Sequence, residues 1–321
     1  MHSRQLDRRA VLRAGALLGA LVALQACSSP FADRRLRLAT GAEEGVYYAL
    51  GTALAQIWRD GLGLTTTPEV RSTAGSVDNL LQLVGGDVDV AISQIDAAAD
   101  HRDATPADSP RALRALARIY DDVVHLVVPA GSPVRSPADL RGARVAVGAP
   151  DSGVSLIARR LLEVSGLRPG DDLSAEQLGL AESPAALVAG RIDALFWVGG
   201  LPTRGITELA ERMPIRLVDL EGIAADVRVD HSEYTPRTVP VGTYGMTEPV
   251  TTLLVRNVLL VTADMPDALA EELVRSMFDA QAQLAEAARA AVTIDPRSAI
   301  GTQPVELHPG AVRFYRAEKD G

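Results

Sequence analysis

The sequence predicts an α/β protein of two lobes, each a mostly parallel sheet flanked by helices, with a cleft between them. Three observations predict it. Residues 35–94 alternate short β-rich runs with amphipathic runs in the order βαβαβ, and that order needs crossovers and hence parallel neighbours. The alternation restarts after residue 136. Two apolar, β-branched runs, at 123–131 and 250–266, suit strands that cross between the units.

The elements follow in order. "RLRLATG" (35–41) reads as a strand ending in a Gly turn, and "VYYALGTALAQIWRD" (46–60) as a helix burying Tyr47, Leu50, Leu54, Ile57 and Trp58. "PEVRS" is a strand, "SVDNLLQLVGG" a helix and "VDVAISQ" (88–94) a strand. An Ala-rich connection leads to the strand 123–131. Residues 136–167 give a short helix, a strand, a Gly-bearing loop and a helix, and the pattern recurs around "GRIDALFWVGGLP". A helix opened by Asp264 or Asp267 with Pro266 follows 250–266, and "LHPGAVRFYR" is a final helix after a Pro-Gly turn.

The N-terminus is read as an export signal, to be set aside from the fold. Arg8 and Arg9 form a twin-arginine head before the apolar stretch Ala14–Leu24. Those 11 residues are too few for a membrane-spanning helix, which needs about 20. "LQAC" places Leu24 and Ala26 before Cys27 in the manner of a lipoprotein processing site, which makes Cys27, the only cysteine, the lipidation residue. A lone cysteine excludes an internal disulfide, and the alternative is a buried thiol.

The chain carries a formal charge of −9, and removing 1–26 removes a net +3 and leaves −12. Lys319 is the only lysine. An acidic protein without a basic stretch is not expected to bind nucleic acid, and an anionic ligand would need local donors.

Three loops put small residues directly before a helix: "ATGAEEGVYY" (39–48), "RSTAGSVDN" (71–79) and "VGAPDSGVS" (147–155). Helix N-termini expose unpaired N–H groups suited to carboxylate or phosphate. Capping by Ser76 or Thr73 would satisfy the same donors. None of the loops matches the phosphate-binding GxxxxGK[ST] or GxGxxG patterns, so no nucleotide or other cofactor is expected. "FWVGGLP" places Trp197 at a strand end beside Gly199 and Gly200, and "SQID" places Gln94 and Asp96 at another. Asp96 reads as a helix cap, and Gln94 as an amide available to a ligand.

Catalytic patterns are poorly represented. The five histidines lack metal-ligand spacing, no GxSxG elbow occurs, and His125 reads as a satisfied core residue. The acidic pairs Glu43-Glu44, Asp121-Asp122 and Asp171-Asp172 read as solvated turns.

The ordered set "ATGxxxGVYYxLG", "TAGSVDN", "AISQID", "VVHLVVPAGSPVRSPADLRGARVAVGAPDSG", "GRIDALFWVGGLP" and "LHPGAVRFYR" resembles the TAXI family, the solute receptors of tripartite ATP-independent periplasmic (TRAP) transporters. The resemblance runs from about 36 to 317. It implies a two-lobed periplasmic-binding-protein fold of type II-like character, a small ligand such as glutamate or 2-oxoglutarate in the interlobe cleft, and TRAP permease subunits as membrane partners. The chain departs from the family at Val46, where Thr is usual, and at 150–154, where "PDSGV" replaces "PGSGT". Both changes remove hydroxyl donors.

The resulting expectation is a non-enzymatic receptor in the periplasm, monomeric, holding no metal and reaching the membrane only through lipid on Cys27. Residues 1–26 are the signal, 27–35 a linker, 36–128 and 241–321 lobe I, and 129–240 lobe II. Thr40, Gly41, Tyr47, Thr73, Ala74, Gly75, Ser76 and Gln94 line one wall of the cleft. Ser152, Gly153, Trp197 and Gly199 line the other. The alternatives are a sensor of the same fold and a periplasmic enzyme on a two-lobed scaffold.

Overall fold

A computed structural model describes residues 29–320. The signal segment and Cys27 lie outside the described residues. The first half opens with β1 (Arg37–Ala39), α1 (Val46–Gly61), β2 (Glu69–Arg71), α2 (Ser76–Gly85), β3 (Val90–Gln94) and α3 (Ile95–Ala104). Strands β1, β2 and β3 are parallel, with β1 in the middle. This is the arrangement that the βαβαβ order requires.

The chain then enters β4 (Leu113–Pro129), a strand of 17 residues. A second unit follows: β5 (Arg144–Ala146), α4 (Gly153–Val164), β6 (Ser174–Glu176), α5 (Ser183–Val188), β7 (Ala194–Gly199) and α6 (Arg204–Arg212). It continues through β8 (Ile215–Leu217), α7 (Glu221–Asp230) and β9 (Thr235–Val239). The return strand β10 (Val250–Thr262) leads to α8 (Asp267–Asp279), α9 (Gln281–Ala287), α10 (Pro296–Ala299) and α11 (Pro309–Asp320).

One sheet runs through both units in the order β2-β1-β3-β10-β4-β7-β5-β6, with β8 on β4 and β9 on β10. The two long strands make it continuous. Antiparallel pairing joins β10 to β4 from Leu254↔Val123 to Thr262↔Leu113. From Val123 onward β4 pairs with β7 and β8, and before Leu254 β10 pairs with β9. The strands therefore change partners at Val123 and Leu254, where the two units meet.

Apolar burial follows this plan. One face of the first unit packs α1 and α8 against the sheet, around Leu38, Leu54, Trp58, Ile92 and Leu273. The opposite face forms a cluster that passes from Leu80 and Leu83 through Val124 and Val255 to Ile157 and Leu161. A third cluster covers the outer face of the second unit around Leu195, Ile206 and Leu209.

Four details differ from the sequence reading. The Ala-rich connection is helix α3, whose Ala97 and Ala98 are buried where small side chains let it pack closely. Strand β4 begins ten residues before Val123, because Leu113, Ala115 and Ala117 are buried and pair with β10 beside them in the sheet. The C-terminal helix breaks at Ala280 into α8 and α9. The expected linker is held to the first unit: Phe31 packs on its core, and the Ala32 carbonyl accepts hydrogen bonds from Thr65 N–H and Oγ1, each at 2.9 Å.

Candidate functional site

The site is built where the two units touch. The loop 73–76 arrives from β2 and turns at Gly75, which sits at φ 126°, a conformation open in practice to glycine alone. That turn sets Gly75 against Ser152 and presents Ser76 to Gly153 at the start of α4. A Cβ on Gly153 would stand 1.8 Å from Gln94 Oε1 and 2.9 Å from Ser76 Oγ. A larger residue at 153 would have to displace the ends of the Gln94 and Ser76 side chains for the units to meet in this way. The Asp78 N–H donates to the Asp151 carbonyl across the same seam at 3.1 Å.

Neither Ser76 nor Thr73 caps α2. The capping position is Gly75, which has no side chain to offer. Ser76 lies one residue further on, and its Oγ accepts the Gln94 N–H at 3.1 Å and lies 3.3 Å from the Tyr47 hydroxyl. Asp78 turns back on its own loop, accepting Ala74 N–H and the Gln82 amide. Its charge is thereby used at the helix start.

Beneath Ser76 lies a buried polar cluster. Tyr47 donates its hydroxyl to Asn257 Oδ1. Asn257 faces Gln94 across the β10–β3 pairing. Asp122 joins them from β4, next to the point where the strands change partners. Asn257, Gln94 and Asp122 are 0%, 3% and 4% exposed. Three of their atoms nevertheless have no hydrogen-bond partner: Gln94 Oε1, Asp122 Oδ1 and Asn257 Nδ2. An unsatisfied buried polar group costs about 1–3 kcal/mol, so this is a stored cost concentrated in one place.

Electrostatics mark the same spot. Burial pushes the Asp122 carboxyl up to about 7. The Asn257 and Gln94 amides lie close enough to favour its ionised form, but only in part, and Asp121 opposes it. No hydrogen bond of normal geometry joins Asn257 Nδ2 to the carboxylate. Burial and the nearby Asp122 also raise Tyr47 and Tyr120 well above the ordinary tyrosine value, so both phenols are neutral.

Of the residues expected to line the cleft, the structure brings Tyr47, Gly75, Ser76, Gln94, Ser152 and Gly153 together. Gly41 lies beneath the Tyr47 ring, and Ala74 is exposed at the loop tip. The Thr40 hydroxyl is used on the Arg71 carbonyl, and that of Thr73 on the Thr40 carbonyl and Asn79. These two hydroxyls hold the loop. Ser152 caps α4, accepting from Ser155 N–H at 3.1 Å. Trp197 folds over Gly199 and donates its indole N–H to Thr203 Oγ1 at 3.0 Å.

The sequence reading missed Asp122 and Asn257. Asp121-Asp122 is no solvated turn: Asp121 pairs with Arg118 at 2.6 Å, while its neighbour points to the opposite, buried side of the strand. The available signal was a charged or amide residue interrupting an apolar β run, which needs a partner when buried. Asp96 does not cap α3 as expected: the capping position is Gln94, with no side-chain cap hydrogen bond, and Asp96 lies within the first turn. Its Oδ2 accepts from Arg160 Nη1 at 2.8 Å and from the Tyr234 hydroxyl at 2.7 Å, all buried. Arg160 also pairs with Asp100 at 2.5 Å. This group ties α3 to α4 and so joins the two units.

Elsewhere, a surface depression lined by Phe278, Asp279, Phe314 and Glu318 among others is open to solvent. None of the unpartnered buried atoms lies in it. Among the described residues no cluster of His, Cys, Asp or Glu is arranged to hold a metal, and no helix is long and apolar enough to cross a membrane.

A family model described as the NMT1-like family matches residues 38–319. The chain belongs to the NMT1-like family. Solved structures share the fold at low identity. The Xanthomonas citri protein XAC2383 bound to ATP matches at TM-score 0.54 and 16% identity, covering 88% of this chain and 98% of that one. A binding protein component of an ABC phosphonate transporter from Pseudomonas aeruginosa matches at TM-score 0.51 and 11% identity, covering 79% and 78%. The periplasmic aliphatic sulphonate binding protein SsuA from Escherichia coli matches more loosely, at TM-score 0.44 and 16% identity over 89% and 88%. The NMT1-like chain thus shares the fold of XAC2383 and of the phosphonate-transporter binding protein, with the polar cluster at the junction of its two units.

Proposed function

We propose that the protein is an extracytoplasmic receptor that captures a small solute between its two units and passes it to a membrane transporter. One observation carries the reading: three unpartnered polar atoms, each on a residue at least nine-tenths buried, converge beneath the point where Gly153 of one unit meets Ser76 and Gln94 of the other. A ligand that opened this seam and closed it again would satisfy those atoms and use the N-termini of α2 and α4. Binding energy would then convert directly into closure.

Family membership and fold support a solute receptor of the periplasm. The ordered motifs shared with TAXI receptors support a TRAP permease as recipient and glutamate or 2-oxoglutarate as first ligands to try. The Pseudomonas neighbour serves an ABC phosphonate transporter by its description; an ABC recipient is therefore the second reading. Co-purification of the tagged receptor with its cognate membrane subunits separates the two. Export by the twin-arginine route and lipid on Cys27 belong to the same proposal, and mass measurement of the mature N-terminus tests both.

The site itself is tested by a Ser76→Ala/Gln94→Ala double variant. It should lose ligand-induced thermal stabilisation by any solute that stabilises the unaltered protein. Stabilisation of undiminished size would remove the cluster from consideration. Recovery of the bound solute unchanged after long incubation is expected of a receptor, and its turnover would favour the enzyme alternative.

A further inference from the structure

The charge of the cluster points to the class of ligand. We infer that Asp122 reads a protonated amine, so that the cleft selects an amine-bearing solute over its deaminated counterpart. This rests on the cleft being the ligand site.

The available hydrogen-bonding capacity supports it. Tyr47 spends its hydroxyl on Asn257, and Ser76 Oγ takes the Gln94 N–H. Of the fully buried atoms, two acceptors, Gln94 Oε1 and Asp122 Oδ1, and one donor, Asn257 Nδ2, are left over. An ammonium group supplies several N–H donors and the opposite charge, which is what two close acceptors lack. The arginines nearest on the same strands are engaged elsewhere. Arg118 holds Asp121, and Arg256 donates to the Gly301 carbonyl at 3.0 Å. An anion laid on this floor would face the Asp122 carboxylate with no cation among these contacts to offset it. The first turns of α2 and α4 stand beside the cluster, and their N–H groups other than those spent on Asp151 and Ser152 suit an acidic group on the same ligand. The arrangement therefore fits a zwitterion with its ammonium inward.

Protonation of Asp122 sets the pH response. The groups facing it are Tyr47 and Tyr120, both neutral, and the amides of Gln94 and Asn257, while the Asp121 carboxylate, on the other side of the strand beside Arg118, adds a like charge. With its carboxyl at about 7 in the free protein, Asp122 is mostly ionised at pH 8 and mostly protonated at pH 6. Pairing with an ammonium requires the ionised form.

The test is calorimetric binding at pH 6 and pH 8 of matched amino and keto acids, headed by glutamate and 2-oxoglutarate. It compares the unaltered protein with Asp122→Asn and Gly153→Val. The amino member should bind more tightly and weaken about tenfold from pH 8 to pH 6, while the keto member should not weaken. Asp122→Asn should lose tenfold or more in affinity for the amine, together with the pH dependence. It should melt no lower than the unaltered protein at pH 8 without ligand, which shows that it folds. Preference for the keto member, an unchanged amine affinity in Asp122→Asn, or no amino acid bound at pH 8 would each overturn the inference. Gly153→Val, which fills the seam, should abolish binding of either member. Equal binding by Gly153→Val would instead show that the ligand lies outside the cleft, which is a failure of the site rather than of Asp122.

Discussion

Asp122 and His125 stand three residues apart on β4 and are shifted in opposite directions by the same cause. Burial disfavours charge on both, raising the Asp122 carboxyl to about 7 and lowering the His125 imidazole from 6.5 to about 4. His125 is nevertheless satisfied, with Nδ1 2.8 Å from the Val123 carbonyl and Nε2 3.0 Å from the Tyr244 hydroxyl. The raised carboxyl contributes stability that is present in acid and lost as pH rises through about 7. The depressed imidazole contributes stability that is present above 6.5 and lost as pH falls toward 4. Thermal melts of the ligand-free protein should show both effects. Asp122→Asn should raise the midpoint at pH 8 more than at pH 5, and an equal rise at both would refute the assignment. His125→Gln should flatten the loss of stability between pH 6.5 and 4.

At the scale of elements, the contact between α3 and α4 depends on one buried ion pair. Arg160 and Asp96 are 4% and 1% exposed, and burial raises the Asp96 carboxyl although Arg160 and Tyr234 both oppose that shift. Such a pair is weak evidence of net stability, but removing one partner strands the other. Arg160→Met should cost about 3–5 kcal/mol in urea denaturation, and Arg160→Met/Asp96→Leu should recover most of it. Equal losses in the two variants would show that the charges are not coupled. A second element contact depends on Gly310, where α11 lies on α8. A Cβ there would stand 2.2 Å from the Asp267 carbonyl and 2.9 Å from the Glu271 nitrogen. Backbone atoms cannot step aside, so Gly310→Ala should destabilise the protein by about 1–3 kcal/mol, read from the same denaturation curves. An unchanged midpoint would mean that the two helices can separate freely.

At the scale of the whole molecule, two long strands carry the connection between the units, and contacts on the Ser76–Gly153 seam and between α3 and α4 hold them together. Bending concentrated where β4 and β10 change partners, at Val123 and Leu254, would leave both apolar outer faces intact, and opening the seam would part only the cluster shared by the units, from Leu80 and Leu83 to Ile157 and Leu161. The lobe limits expected from the sequence, at 128/129 and 240/241, stand as a proposal beside those pairing points. The acidic charge of −9 over the full chain makes long-range attraction of anions unfavourable. This agrees with a ligand held by local contacts and admitted by its amine.

The order of elements was legible in the residues because it rests on local chemistry. Periodicity placed α1, α2, β3, β7 and β10, and the βαβαβ order required parallel strands before any contact was known. The loops "TAGS" and "DSG" were legible for the same reason: small residues before an amphipathic run mark a helix start. What those residues do was decided only by the tertiary structure. Ser76 lies too far into α2 to cap it and turns inward, whereas Ser152 caps α4; the sequence of each loop permits either role. Asp122 and Asn257 lie 135 positions apart and become neighbours only because β4 and β10 pair. A carboxylate's meaning depends on its neighbours, and here those neighbours are supplied by strand register, which no local pattern encodes.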